Sequence, residues 1–147
     1  MAETSSALAD APVPGDVLSR AEEFARERFV AMQDKPVVVN KWASWCGPCR
    51  TEFPYFRDLA RRHQGEVVFV GVNSNDNDGD AREFLAENPV PFQHFKDPKL
   101  EVAASFNGVQ AFPTTAFYDR RGELAFVHQG GYQSQEQLAD DIARYAR

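Results

Sequence analysis

Both cysteines of the chain lie in one five-residue motif, W-C-G-P-C at residues 45–49, and this motif most constrains the fold. The spacing of the pair places both sulfur atoms within one helical turn, so the pair can close and reopen a small-loop disulfide. A β-branched run at 37–39 precedes the motif, and residues 50–63 behind it predict a helix. Cys46 is therefore expected at a strand-to-helix turn, where free N–H groups and the helix dipole stabilise a thiolate.

A C-x-x-C pair can also be half of a zinc site, but four ligands are usual and the sequence has no second cysteine pair. The histidines His63, His94 and His128 lack zinc spacing, and we expect each at the surface or at a strand edge. The segment 74–79 faintly resembles a calcium loop, but Leu85 takes the place of the bidentate glutamate. The sequence thus predicts no metal and no cofactor other than the redox-active disulfide.

Landmarks elsewhere make the chain similar to the thioredoxin superfamily. Pro54 follows Cys49 by five residues, where thioredoxins carry the proline that kinks the active-site helix. Phe112 and Pro113, followed by a predicted strand, resemble the cis-proline loop that lies beside the nucleophilic sulfur in this family. The resemblance covers residues 35–145 and implies an α/β thioredoxin fold, with a central mixed β-sheet flanked by helices.

Within the superfamily the chain resembles the TlpA/ResA-like extracytoplasmic thiol–disulfide oxidoreductases, which are often tied to cytochrome c maturation. The similarity rests on the run from Asn40 into the motif and on residues 52–54. Ordinary thioredoxins have a proton-accepting aspartate at the Asn40 position; the branch instead supplies a glutamate three residues after the second cysteine, which is Glu52 here. The long segment between Gly71 and Gly108 matches the central insertion of the branch. Lys41 departs from it, because an apolar residue is commoner there.

The predicted activity is thiol–disulfide exchange, in which Cys46 attacks a partner disulfide and Cys49 resolves the mixed disulfide. The Gly-Pro pair between the cysteines resembles that of reducing thioredoxins, which implies reduction of protein disulfides. Partly desolvated, Glu52 should have a raised pKa and exchange protons with Cys49. The alternative is an exposed helix glutamate paired with Arg50 or another cation. If Lys41 were a neighbour of Glu52, it would oppose the raised pKa.

The substrate surface is predicted from the motif and from the family's cis-proline loop. Trp45 stands beside the nucleophile, and Phe112 precedes the proline where the family pairs its backbone with an extended substrate segment. Trp42 is expected in the core instead. The predicted substrate-binding residues are Trp45, Gly47, Pro48, Phe112, Pro113 and Gly131.

The sequence leaves two other functions open. A peroxiredoxin-like thiol peroxidase would carry a threonine three residues before its cysteine, where this chain has Ala43. A non-catalytic thioredoxin-like interaction module is usually marked by a lost cysteine, and here both are present.

The secondary structure predicted from hydrophobic patterning and capping residues alternates strands and helices. A capping box at Ser19 predicts an N-terminal helix, and one at Ser134 predicts the last helix. The other predicted strands are 37–42, 67–72, 92–95, 116–118 and 123–128, and the other predicted helices are 50–63, 80–88 and 99–106.

The length of 147 residues suits one domain, which we place at 16–147 as a thioredoxin-like domain after a flexible leader or linker at 1–15. The formal net charge of −6 argues against nucleic acid or an anionic membrane as a partner. The expected partners are disulfide-containing protein substrates and a thiol electron donor, and the protein is expected to be a monomer.

Residues 1–15 contain neither the basic nor the apolar region of a signal peptide, which taken literally indicates the cytoplasm. The TlpA/ResA resemblance instead implies a position outside the cytoplasmic membrane. We therefore expect an extracytoplasmic domain that is membrane-anchored or secreted in the full-length protein, with an apolar segment encoded upstream of Met1. Its electrons would then come from a membrane-embedded thiol donor.

Overall fold

The computed structural model describes residues 18–19 and 34–147, and a mixed six-stranded sheet runs through this part of the chain. The strands lie in the order β1-β4-β3-β2-β5-β6; β1 to β4 pair in parallel, and β5 pairs antiparallel with both β2 and β6. Their bounds are β1 Leu18–Ser19, β2 Val37–Trp42, β3 Val68–Ser74, β4 Gln93–Asp97, β5 Thr114–Tyr118 and β6 Leu124–Gln129.

Helices cover the sheet, as the predicted thioredoxin fold requires. Their bounds are α1 Gly47–Arg62, α2 Asp78–Glu87, α3 Glu101–Ala104 and α4 Gln135–Tyr145. The predicted elements that fall within the described residues are confirmed with ends moved by a few residues, except that the helix expected at 99–106 is the single turn α3. The segment between Gly71 and Gly108 contains α2, β4 and α3, inserted before β5.

The central strand β2 separates two apolar cores. Its side chains point alternately into one core and the other, so only every second residue can reach the motif. Val38 and Trp42 belong to the core under α1, whereas Val37 and Val39 belong to the core on the opposite face. Since successive strand residues point to opposite faces, Asn40 faces α1 and Lys41 faces away from it. Trp42 is fully buried, which confirms its predicted core position.

Histidine 94 was expected at the surface or a strand edge, and that expectation is wrong. The ring is fully buried and lies among Trp42, Phe53 and Phe92. Its Nδ1 accepts a hydrogen bond of 3.0 Å from the Trp42 indole, and burial lowers the pKa of His94 to about 3. Gly71, opposite His94 in the β3–β4 pairing, leaves the space that the ring fills.

The predicted helix after Ser19 and the leader at 1–15 lie outside the described residues. Within the described part of the chain, no helix is long and apolar enough to cross a lipid bilayer.

Candidate active site

The two cysteines form a disulfide at the start of α1, with their Cα atoms 5.3 Å apart. Cys46 is the N-cap residue of the helix, and its sulfur accepts a hydrogen bond of 3.2 Å from the Cys49 backbone N–H. Cys46 retains a 4% exposed fraction, whereas Cys49 is completely buried. The structure therefore has the predicted strand-to-helix turn, and Cys46 is the less buried of the two cysteines in the disulfide form.

Asp76, which the sequence analysis did not single out, fixes the turn that leads into Cys46. Its carboxylate accepts hydrogen bonds from the Ser44 backbone N–H at 2.7 Å, the Ser44 hydroxyl at 2.9 Å and the Asn73 amide at 3.1 Å. Asp76 follows β3 and Ser44 follows β2; the carboxyl ends of these parallel strands meet at one sheet edge. The alternation of strands and helices in the sequence implies this parallel pairing, but it does not specify which polar residue after β3 reaches Ser44.

Glu52 is fully buried beneath the motif, one helical turn beyond Cys49. One carboxylate oxygen accepts a hydrogen bond from the Asn40 amide and the other from the Tyr132 backbone N–H, both at 2.9 Å. Burial raises the pKa of Glu52 to about 7, against the opposing effect of these two hydrogen bonds. The alternative of an exposed glutamate paired with Arg50 is thus wrong.

The donors to Glu52 are themselves buried and held in place. The Asn40 amide also lies 3.5 Å from the Thr115 hydroxyl, and its Oδ1 has no hydrogen-bond partner among the described residues. The Tyr132 ring stacks on His128 at 4.0 Å, and its hydroxyl donates to Asp141 at 2.7 Å. Burial and that hydrogen bond raise the pKa of the Tyr132 phenol.

The predicted substrate-binding residues form one surface beside the disulfide. Trp45 is 56% exposed, and its ring centroid lies 4.7 Å from that of Phe112. A Cβ on Gly131 would lie 3.3 Å from the Pro48 Cβ and 3.8 Å from the Pro113 ring, so these three residues are close neighbours. The structure therefore brings the motif, the proline loop and the Gly131 turn together.

Two further backbone features define this surface. The Phe112–Pro113 peptide bond is cis, as the family resemblance implied. The Pro113 carbonyl accepts a hydrogen bond of 2.8 Å from the backbone N–H of Gly130, whose φ of +88° suits a residue without a Cβ. Gly47 is exposed, and a Cβ there would meet nothing within 4 Å.

Lys41 is buried on the face of the sheet opposite Glu52, so the neighbour relationship considered for these two residues does not occur. Its ammonium donates to the Gly108 carbonyl and, at 3.5 Å, to the Val109 carbonyl. It also lies 3.7 Å from the centroid of the Phe112 ring. Lys41, the residue that departs from the family pattern, therefore contacts the loop that precedes Pro113.

Across the described ranges, no group of three or more His, Cys, Asp and Glu side chains is arranged to hold a metal ion. The redox-active pair Cys46 and Cys49 is present as a closed disulfide.

Comparison with known proteins shows that the chain is similar to thiol:disulfide interchange proteins. The sequence model of the redoxin family matches residues 11–142. The chain is 34% identical over 130 residues to a probable thiol:disulfide interchange protein DsbE-2 of Pasteurella multocida, covering 86% of this chain and 65% of that protein. It is 32% identical over 130 residues to the thiol:disulfide interchange protein DsbE of Pseudomonas fluorescens, covering 88% of this chain and 71% of that protein. The chain thus spans just under two thirds of the first of these relatives.

A solved structure agrees with the fold. The chain superposes on a secreted disulfide oxidoreductase of Mycobacterium tuberculosis, homologous to E. coli DsbE, with a TM-score of 0.70 and 26% identity. The superposition covers 78% of this chain and 85% of that chain. The DsbE-type relatives and this structure confirm the predicted TlpA/ResA-like thioredoxin fold.

Proposed function

Because this chain belongs to the redoxin family, we propose that it is a thiol–disulfide oxidoreductase that reduces protein disulfides through a reversible Cys46–Cys49 dithiol/disulfide couple. The observation that carries the proposal is the closed disulfide at the N-terminus of α1, one helical turn before a buried carboxyl group. Such a position supplies a stabilised thiolate and a nearby proton acceptor.

Cys46 is the attacking sulfur. In the reduced protein its thiolate attacks one sulfur of the substrate disulfide, a mixed disulfide forms, and the other substrate sulfur leaves as a thiolate. Two features favour Cys46 over Cys49: it is the less buried of the two, and its sulfur accepts an N–H from the first turn of α1. A hydrogen-bond donor and a helix N-terminus both lower the pKa of a thiol.

Cys49 resolves the mixed disulfide. It loses its proton and attacks the Cys46 sulfur, the Cys46–Cys49 bond forms, and the bond to the substrate breaks. Two electrons pass from the protein dithiol to the substrate, and the protein returns to the disulfide form seen in the structure. Glu52 accepts the Cys49 proton, since a carboxyl group whose pKa is about 7 can take up and release protons near neutral pH.

The direction of electron flow and the partners follow from the family pattern. The Gly-Pro pair between the cysteines favours reduction of the substrate, so a thiol donor must regenerate the dithiol. The TlpA/ResA resemblance suggests proteins of cytochrome c maturation as a substrate class and a membrane-embedded thiol protein as the donor. The substrate contacts are assigned to Trp45, Gly47, Pro48, Phe112, Pro113 and Gly131.

The proposed compartment is extracytoplasmic. The similar Mycobacterium tuberculosis oxidoreductase is described as secreted. The TlpA/ResA resemblance also suggests a position outside the cytoplasmic membrane. Fractionation of the native host tests this assignment, and we expect to detect the protein outside the cytoplasm. Recovery in the cytoplasm with reduced cysteines contradicts it.

Insulin reduction with dithiothreitol as electron donor tests the proposal. We expect activity in the wild-type protein, none in Cys46→Ser, and a trapped mixed disulfide in Cys49→Ser that mass spectrometry identifies. The double serine variant gives the background rate. Full activity in Cys46→Ser, or peroxide consumption without disulfide reduction in the wild type, would contradict the assignment.

A further inference from the structure

Lys41 is a fully buried cation in the central strand of the sheet, two residues before the turn that leads to the motif. Burying an ammonium group is unfavourable unless its donors are satisfied. Burial lowers the pKa of Lys41 to about 8, while the Asp97 carboxylate raises it, so the side chain is predominantly charged at neutral pH. Such a cation in a core strand requires compensating contacts.

Besides the attraction of the Asp97 carboxylate, the ammonium has direct contacts, and these all lie in one loop. The ammonium donates to the carbonyls of Gly108 and Val109 and lies 3.7 Å from the centroid of the Phe112 ring. A cation over an aromatic face is attracted by the ring quadrupole, most strongly where both are desolvated. Lys41 therefore binds the two ends of the segment 108–112, which directly precedes Pro113.

The position of this loop decides the shape of the substrate surface. Phe112 packs against Trp45, and Trp45 is adjacent to Cys46 in the chain. Among the described residues the large apolar side chains with the greatest exposure are Trp45 at 56%, Val109 at 42% and Leu124 at 38%. Val109 belongs to the loop that Lys41 contacts, and Trp45 packs on Phe112 at the other end of the same loop. We call Trp45, Val109 and Phe112 the apolar ridge.

We propose that Lys41 is a positioning residue that holds the apolar ridge in place for polypeptide disulfides with an apolar side chain beside the reacting cysteine. Lys41 contacts neither the cysteines nor Glu52 and acts through the loop. Small disulfides that need only the Cys46 sulfur do not depend on the ridge. This inference rests on the proposed disulfide-reductase function and adds its substrate class.

The test compares substrates that use the ridge with one that does not. The probes are two short peptides whose central cysteine carries a nitrothiobenzoate mixed disulfide, one with leucine neighbours and one with serine neighbours. The third probe is dithiobis(nitrobenzoate) itself, which presents no peptide. Lys41→Met removes the cation at nearly constant volume, Lys41→Gln keeps a hydrogen-bond donor, and Lys41→Arg keeps the charge. Lys96→Met, which removes a surface ammonium paired with Asp78, is the matched control.

The wild type should prefer the leucine peptide, and Lys41→Met should raise the KM for that peptide on the order of tenfold. The rate with dithiobis(nitrobenzoate) and the pKa of Cys46 should not change, and Lys41→Arg should restore part of the affinity. If Lys41→Met does not fold, the same KM comparison is made with Lys41→Gln. The Trp45 indole resonance, measured by NMR, should shift in both neutral variants and not in Lys96→Met.

An unchanged KM for the leucine peptide in the folded neutral variants overturns the inference, as does an equal loss with all three probes. Failure of the wild type to reduce any probe would instead overturn the proposed function, and this inference with it. Since dithiobis(nitrobenzoate) reports the chemistry without the ridge, the two failures are distinguishable.

Discussion

The carboxylate of Glu52 accepts a hydrogen bond of 2.9 Å from the backbone N–H of Tyr132, a residue 80 positions further along the chain. This contact joins α1 to the turn before α4, at the place where Gly131 meets Pro48 and Pro113. The proposed proton acceptor and the proposed substrate surface thus meet at the same short segment. A change in the charge of Glu52 is expected to alter that contact directly.

Replacing Glu52 should change how the rate of the resolving step depends on pH. In the wild type the rate should rise with pH through an inflection near 7, because ionised Glu52 accepts the Cys49 proton. Glu52→Gln should remove that inflection and slow the step at neutral pH. Stopped-flow measurement of mixed-disulfide resolution checks this, with the exposed Glu83→Gln on α2 as control. An inflection that persists in Glu52→Gln would exclude the role.

The raised pKa of Glu52 also implies that the free energy of unfolding depends on pH. Its pKa is raised in the folded protein from 4.5 to about 7, so the folded state binds the proton more tightly than the unfolded chain. Protonation therefore stabilises the fold below pH 4.5, and this contribution is lost as pH rises through about 7. The loss is on the order of 3 kcal/mol. Urea unfolding of the oxidised protein across this range should show the decline in the wild type and its absence in Glu52→Gln; parallel curves would contradict the assignment.

Asn40 should influence the pKa of Glu52 through its amide donor. Asn40→Leu removes a hydrogen bond to the carboxylate without adding a charge, so the pKa of Glu52 should rise above its wild-type value. Carbon-13 NMR titration of the Glu52 carboxyl measures this pKa. Thr115→Val is the control, since it removes only the 3.5 Å contact on the other side of Asn40. A lower or unchanged pKa in Asn40→Leu would show that the amide does not stabilise the ionised form.

Gly71 provides the space for the buried His94 ring, and its replacement should destabilise the fold. A Cβ at this position would overlap the ring, which is enclosed by Trp42, Phe53 and Phe92 and cannot move away. Gly71→Ala should therefore lower the free energy of unfolding by about 3 kcal/mol or more. Gly79→Ala is the matched control, since its Cβ would lie 3.5 Å from the Asn77 side chain, an ordinary contact. Equal stability of the two variants would contradict this packing argument.

The sequence predicted the fold and the reacting pair because both follow from local signals. The C-x-x-C spacing, the β-branched strand before it and the proline loop each occupy a few consecutive residues, so their geometry can be inferred without tertiary structure. Hydrophobic patterning and capping residues predicted the order of the elements, and the family resemblance pointed to Glu52.

Other features depend on contacts between distant residues and were missed or wrong. The burial of His94 was not predicted, because the ring fits only beside Gly71, a residue without a side chain on the neighbouring strand. The role of Asp76 depends on which residue of a polar turn reaches Ser44 across a strand pair. Lys41 was recognised as unusual, but its partners lie 67 residues or more along the chain.

The reduction potential of the Cys46–Cys49 couple distinguishes a protein-disulfide reductase from an oxidase. The oxidised and reduced forms are equilibrated in glutathione and dithiothreitol buffers, trapped by alkylation and counted by mass spectrometry. We expect a reversible two-electron couple whose potential lies nearer the roughly −270 mV of reducing thioredoxins than the roughly −120 mV of strong oxidants. A potential near the oxidising value, or no reversible couple, would contradict a protein-disulfide reductase.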